Sequence, residues 1–221
     1  MEQSIIDNLP DILKNSIDTL ESISCDYSDK NNIQHMINSQ KTAIDFDEVK
    51  NLYNSENSDT FELKSNDALY IDKNNIHYFI EFKNGNLLYI TKNNNQNNIL
   101  YVNTKYDIKQ KLQLKIYDSW FILSDIEYSS RIKYISNMFS FSKNHIVYIL
   151  VYNFKKNGKL IMHNRFLNNS KQNLNRSKSS KIDLELFGLA KFEKFLLKKV
   201  YIYDENEFET KFINGTIANE P

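Results

Sequence analysis

The sequence predicts an α/β fold: a mixed central sheet holding an antiparallel three-strand meander and flanked by helices. Three observations carry this. Residues 145–153, HIVYILVYN, form a nearly continuous apolar run rich in Ile and Val, as expected of a central strand covered on both faces. Ahead of it, TFELKS, DALYID and IHYFIEFK are three short strand-like segments, broken at Asn66 and at Lys73-Asn74-Asn75. Before and after these segments, apolar residues recur at helical spacing.

Taken in order, residues 4–24 place Ile5, Ile6, Leu9, Ile12, Leu13, Ile17 and Leu20 at helical spacing, with a break at Pro10. Residues 26–43 are polar and poorly periodic. DFDEVKNLYN, 45–54, predicts a short helix capped by Asp45. The three strands of the meander follow. NLLYITKNNNQNNILYVNTKY, 86–106, reads as a further hairpin with an Asn-rich tip. DIKQKLQLKIYDSWFILSDI, 107–126, is a helix with Ile108, Leu112, Ile116, Trp120 and Leu123 as its inner stripe. After the central strand and a basic tract, residues 182–199 predict an amphipathic helix through Leu184, Leu186, Phe187, Leu189, Phe192 and Leu196. VYIYD is a last strand and ENEFETKFI a closing helix. No internal repeat is visible. The expected organisation is an N-terminal helical segment, 1–44, and an α/β domain, 45–221, carrying a basic insertion at about 155–181.

Composition narrows the function classes. Hydrophobic residues are 41% and charged residues 25%, ordinary for a soluble globular chain. Gly (4) and Pro (2) are scarce, so Asn, Asp, Ser and Lys must make the turns. Cys25 stands alone, which excludes a disulfide framework and a Cys-based zinc site. The N-terminus lacks the basic start and apolar run of a signal peptide, and no stretch nears the ~18 apolar residues of a membrane span, so a cytoplasmic protein is expected. His35, His77, His145 and His163 have no metal-ligand spacing. Neither a Gly-rich phosphate loop nor Gly-x-Ser-x-Gly is present, against nucleotide-driven and α/β-hydrolase chemistry.

Net charge is zero but unevenly spread. Residues 1–62 hold 13 acids and 4 bases, whereas 155–182 hold 8 bases and no acid. The tract, with Lys171, Arg176, Lys178 and Lys181, is either a solvated loop or a nucleic-acid contact.

YFIEFKNG, 78–85, is the most informative stretch. Alternate strand residues share a face, so Glu81 and Lys83 point together while Ile80 and Phe82 point the other way into the core. A tight turn at Lys73–Asn75 sets Asp67 opposite residue 81. Two carboxylates then face each other and repel unless a cation sits between them. A hard divalent ion suits such oxygen ligands, and Lys83 beside it would act on water and phosphate.

DALYIDKNNIHYFIEFK, from Asp67 through Glu81 to Lys83, resembles the core of the PD-(D/E)XK, or restriction-endonuclease-like, nuclease superfamily. In that family a helix precedes a three-strand meander, an Asp begins the second strand, Glu-x-Lys closes the third, and a helix and fourth strand follow. A similar order runs from about 45 to 153 here. The resemblance implies Asp67, Glu81 and the Phe82 backbone carbonyl as ligands of Mg²⁺ or Mn²⁺, and Lys83 as catalytic base or water-orienting group. It implies a further acid, Glu48 or Glu62. Gln113-x-x-x-Tyr117 is similar to a Gln/Tyr motif of the RecB-like branch and would contact the substrate backbone. Asn66 stands where the family's motif has proline, and residues 1–44 and about 165–221 lie outside the resemblance. The expected function is hydrolysis of nucleic acid, DNA above all, in defence or mobile-element biology. The alternatives are a catalytically inactive nuclease-fold module that binds partners or confers immunity within a larger assembly, and a nucleic-acid-binding protein that uses the basic tract alone.

Overall fold

The computed structural model describes residues 1–26, 34–56, 62–92, 100–172 and 179–215. Its elements are α1 (Gln3–Asp7), α2 (Asp11–Lys14), β1 (Ile17–Thr19), α3 (Leu20–Ile23), β2 (Cys25–Asp26), β3 (Gln34–His35), β4 (Thr42–Asp45) and α4 (Phe46–Glu56). There follow β5 (Ala68–Ile71), β6 (His77–Lys83), β7 (Leu88–Lys92), β8 (Leu100–Thr104), α5 (Tyr106–Asp125), α6 (Met138–His145) and β9 (Ile146–Tyr152). The chain continues through α7 (Phe154–Gln172), α8 (Ser179–Phe187), α9 (Ala190–Phe195), β10 (Lys199–Asp204) and α10 (Glu205–Phe208), which runs on as a π-helical turn, Glu209–Ile213.

The fold is mixed α/β. A six-stranded sheet has the order β1-β4-β5-β6-β9-β10, and β2–β3 and β7–β8 form separate two-stranded ribbons. β1, β4, β5 and β6 pair antiparallel in succession. β9 then lies parallel to both β6 and β10. The turn from antiparallel to parallel falls at β6, because β6 reaches β9 only through a long crossover that carries α5 and α6.

Each face of the sheet is buried. Phe79, Tyr148, Leu150 and Tyr152 project into one core with Leu112, Ile116 and Leu123 of α5. Ile80, Phe82, Val147, Ile149 and Val151 project into a second, with Phe208 and Phe212. β9 is buried at every position, which explains its unbroken apolar sequence. Asp45 caps α4 as the sequence reading expects, its Oδ1 accepting from the Glu48 amide at 3.1 Å.

Several expectations are corrected. TFELKS is not a strand: residues 62–66 lack regular structure and residues 60–61 lie outside the described residues. The Lys64 amide donates to Asp118 Oδ2 at 2.9 Å and the Asn66 amide to Ser119 Oγ at 2.8 Å. Side chains of α5 thus take the amide donors that a ladder would need. The first strand of the meander is instead β4, and the boundary read at residue 44 falls inside it. The helical spacing of 4–24 splits into α1, α2, β1 and α3, so the N-terminal segment contributes strands to the main sheet. The 182–199 helix is broken at Gly188, whose φ of +70° is left-handed and ends α8. The basic tract is largely the helix α7, and its Arg165 donates to the buried Asp183 at 2.5–3.2 Å. Residues 173–178 lie outside the described residues, as do the Lys171 side chain and the 93–99 hairpin tip. Among the described residues no helix is long and apolar enough to cross a membrane.

His77 opens β6 fully buried, with Nε2 2.8 Å from the Tyr134 hydroxyl. Burial pushes its pKa down to about 4. The unfolded chain takes up this proton near pH 6.5, so between the two values the unfolded state holds more protons and stability is lost as pH falls. Lowering the pH through that window is expected to cost about 3 kcal/mol at this group. Urea denaturation of wild type and His77→Phe across pH 4–7 checks it: the variant should show a shallower slope.

Candidate active site

The site begins with the β5–β6 turn. Asp72 Oδ1 accepts from the Asn74 amide at 2.8 Å and the Ile76 amide at 2.9 Å, and Asn75 takes a left-handed φ of +58°. Asn tolerates that conformation better than most residues. The turn sets the register Ala68↔Ile80, Leu69↔Phe79, Tyr70↔Tyr78 and Ile71↔His77. Continued by one residue, it brings Asp67 level with Glu81. The Phe82 amide donates to Asp67 Oδ2 at 2.6 Å and so anchors that carboxylate to the end of β6.

Glu81 and Lys83 share a face, as strand alternation requires, and they form an ion pair. Glu81 is completely buried, on the side of the sheet covered by α5. From α5, Lys115 reaches in between the two acids. Its Nζ lies 2.8 Å from Asp67 Oδ1, 2.7 Å from Glu81 Oε1 and 2.9 Å from Glu81 Oε2. The facing carboxylates therefore do have a cation between them, and it belongs to the chain itself. Two acids and two lysines make a neutral cluster, which is the condition for holding charge away from water.

Burial, followed by the negative charge of Glu81, raises the Asp67 pKa to about 6, although Lys115 and Lys83 act in the other direction. Burial by itself would lower the Lys115 pKa. The Glu81 and Asp67 charges outweigh it and hold the ammonium well above its ordinary value. The Tyr148 hydroxyl, buried in the field of both acids, is pushed strongly upward by burial and has no hydrogen-bond partner among the described residues.

A cleft of ≈ 270 Å³ opens beside the cluster, lined by Asp26, Asp47, Asp67, Phe82, Lys83 and Asn84 among others. The additional acid here is Asp47. The Ser65 hydroxyl donates to its Oδ1 at 2.5 Å, and Lys50 lies 3.4 Å away. Of the two acids expected in this role, Glu48 is exposed on α4 and Glu62 pairs with Lys64 at 3.3 Å on the surface. The structure does not bring Gln113 and Tyr117 to the cluster. Gln113 donates to the Gly188 carbonyl at 3.0 Å and Tyr117 packs on Phe192 with centroids 5.0 Å apart. Positions 113 and 117 each lie two residues from 115, and two residues turn a helix through more than half a circle. Lys181 is exposed at the start of α8, while the side chains of Lys171, Arg176 and Lys178 are outside the described residues.

Sequence reasoning passed over Lys115, yet a signal for it exists. Leu112, Ile116, Ser119 and Leu123 form the buried stripe of α5, and Lys115 is three residues beyond one member and four before another. A lysine on that stripe requires a buried acid, and Glu81 is the acid embedded in an apolar strand.

The donor set suits a hard divalent ion in kind, since Asp67 and Glu81 present carboxylate oxygens. It fits on one condition. Lys115 fills the position between them, and among the described residues no three His, Cys, Asp or Glu side chains cluster closely enough to hold a metal ion. A divalent ion is accommodated here only when Lys115 withdraws.

Lys115→Met leaves Asp67 and Glu81 with Lys83 as their nearby cation, and breaking a buried pair in this way typically costs about 3–5 kcal/mol. Urea denaturation at pH 7 should show a loss of that order, partly restored in Lys115→Met/Asp67→Asn. The deficit should shrink as pH falls towards 6 and level off below it, because without Lys115 the Asp67 carboxyl takes up its proton at a higher pH than in the parent, and its protonation removes the repulsion from Glu81.

Comparison of the chain with protein-family models, with curated proteins and with solved structures finds no match.

Proposed function

We propose that the chain is a metal-dependent nuclease of the PD-(D/E)XK, restriction-endonuclease-like type, hydrolysing phosphodiester bonds of nucleic acid. One observation carries this reading: Asp67, Glu81 and Lys83 converge at the end of one β-hairpin, beside a cleft that also contains Asp47. The strand order supports it as well, with an antiparallel meander β4–β5–β6, a helical crossover and the parallel strand β9.

In this reading Asp67 and Glu81 hold Mg²⁺ or Mn²⁺, which when bound supplies charge stabilisation to the phosphate. Lys83 keeps one foot on Glu81 and borders the cleft, where its ammonium can orient the attacking water and balance phosphate charge. Lys115, displaced from between the acids, remains a cation at the edge of the site and contributes to anion binding there. Asp47, half-exposed on the cleft wall, is placed to position water.

A second reading has its own observation. Lys115 already satisfies both carboxylates, so the cluster is electrostatically complete without any ion. That favours a catalytically inactive nuclease-fold module acting through binding.

Cleavage of mixed single- and double-stranded DNA and RNA with Mg²⁺ or Mn²⁺ separates the two. The nuclease reading expects metal-dependent cleavage, abolished in Glu81→Ala. It also expects an ion-induced stabilisation, which for binding to the folded state is about 1.4 kcal/mol at ten times Kd. Thermal melts should show a larger ion-induced shift in Lys115→Met than in wild type, since the competing ammonium is gone. No cleavage by wild type and no shift in either protein would establish the inactive module.

A further inference from the structure

We propose that the outer surface formed by α5, α6 and α9 binds single-stranded nucleic acid, by stacking bases on exposed aromatic rings between lysines. The inference does not rest on the nuclease reading, because the surface lies on the other side of α5 from Lys115 and needs no ion.

The three helices form one continuous surface. Trp120 of α5 packs on Phe139 of α6, centroids 4.9 Å apart. Tyr117 of α5 packs on Phe192 of α9 at 5.0 Å. Lys143 of α6 donates to the Lys194 carbonyl of α9 at 2.7 Å. Over this framework stand rings with little to cover them: Phe139 is 71% exposed and Phe195 68%, and Tyr117 is half-exposed. Leu114 and Phe121, at helical spacing around Tyr117, continue the apolar stripe along α5.

Tyr117 and Phe195 each have a cation beside them. Lys191 Nζ sits 5.4 Å from the Tyr117 centroid and 5.0 Å from that of Phe192, and Lys194 Nζ sits 4.9 Å from that of Phe195. Lys143, Lys191 and Lys194 are exposed, and among the described residues none of the three is ion-paired. The neighbouring acids are occupied: Glu193 accepts from Lys199 at 3.2 Å, and Asp118 from the Lys64 amide. A protein–protein interface depletes lysine from its apolar centre. Lys191 donates to Gln113 Oε1 at 3.0 Å, but among the described residues no acid neutralises these lysines, and rings beside such lysines match the other chemistry, in which bases stack on aromatic faces and ammonium groups track the phosphates. A duplex hides its base faces, so the fit is to a single strand.

The test uses the full-length wild-type protein in EDTA, so that neither metal nor metal-dependent cleavage enters, and a fluorescently labelled oligo(dT) of about fifteen nucleotides. Anisotropy reports binding. Trp120, the single tryptophan of the chain, reports location, because a base stacked on this surface quenches its emission. Expected are Trp120 quenching and affinity that falls with salt, with a slope of roughly −2 in log K against log salt for three phosphate contacts. Phe139→Ala/Phe195→Ala should weaken binding about ten-fold or more while leaving the melting temperature near that of the parent, since both rings face solvent. Lys143→Gln/Lys191→Gln/Lys194→Gln should flatten the salt slope. Absence of quenching, or anisotropy unchanged by the aromatic double variant, overturns the proposal. So does self-association in sedimentation that the same variant abolishes, which would make the surface a contact with a second copy. Since EDTA withholds the ion throughout, failure here leaves the nuclease reading untouched.

Discussion

The ammonium of Lys115, held between Asp67 and Glu81, is the contact on which the rest of this structure depends. It joins the long helix α5 to the paired ends of β5 and β6, the two strands at the middle of the six-stranded sheet. Glu81 has no exposure to solvent, so its charge must be met from within the protein. Lys83 meets part of it along the strand and Lys115 the remainder from across the layer. The cluster therefore sets both the rotation of α5 on the sheet and the electrostatic state of the candidate site.

The placement of α5 has consequences at each end. Its Ser119 and Asp118 side chains accept from amides of the segment leading into β5, which keeps that segment out of the sheet and delivers Asp67 to the cluster. On its far side Gln113 and Tyr117 receive the Gly188 turn and α9. One helix thus links the acid cluster, the crossover to β9 and the packing of the C-terminal helices. Its inner and outer faces do different work: the inner face places a cation among acids, and the outer face presents rings and lysines to solvent.

Charge is organised locally although the total is zero. The strongly basic 155–182 stretch is not uniformly available, since Arg165 is spent on the buried Asp183. The acid-rich N-terminal third contributes Asp26 and Asp47 to the cleft beside Asp67. A cleft with this many acids attracts cations, and Lys83 at its wall offsets only part of that charge. The requirement for a cation follows from that electrostatic arrangement whichever cation supplies it.

By itself the sequence determined the sheet's central strand, the spans of α4 and α5 and the Asp45 cap of α4, the two-strand hairpin around Asp72–Asn75, and the sharing of one face by Glu81 and Lys83. These are local consequences of period and turn chemistry: alternation in a strand and hydrogen bonding within a turn need no knowledge of distant residues. The level placement of Asp67 and Glu81 was legible for the same reason, because a tight turn sets its own register. The tertiary structure decided what local pattern could not. TFELKS has strand-like composition, but α5 side chains take the Lys64 amide and the Asn66 amide that follows it. Residues 17–19 fit a helical stripe, yet pair with β4 at the edge of the sheet. Gly188 breaks a helix whose apolar spacing continues past it. The choice of Asp47 over Glu48 depends on how α4 lies against the cleft, and the arrival of Lys115 at the acids depends on which face of a helix more than thirty residues away in sequence packs on β6. A buried charge names the need for a partner in the sequence, but only the packing of layers decides which side chain answers it.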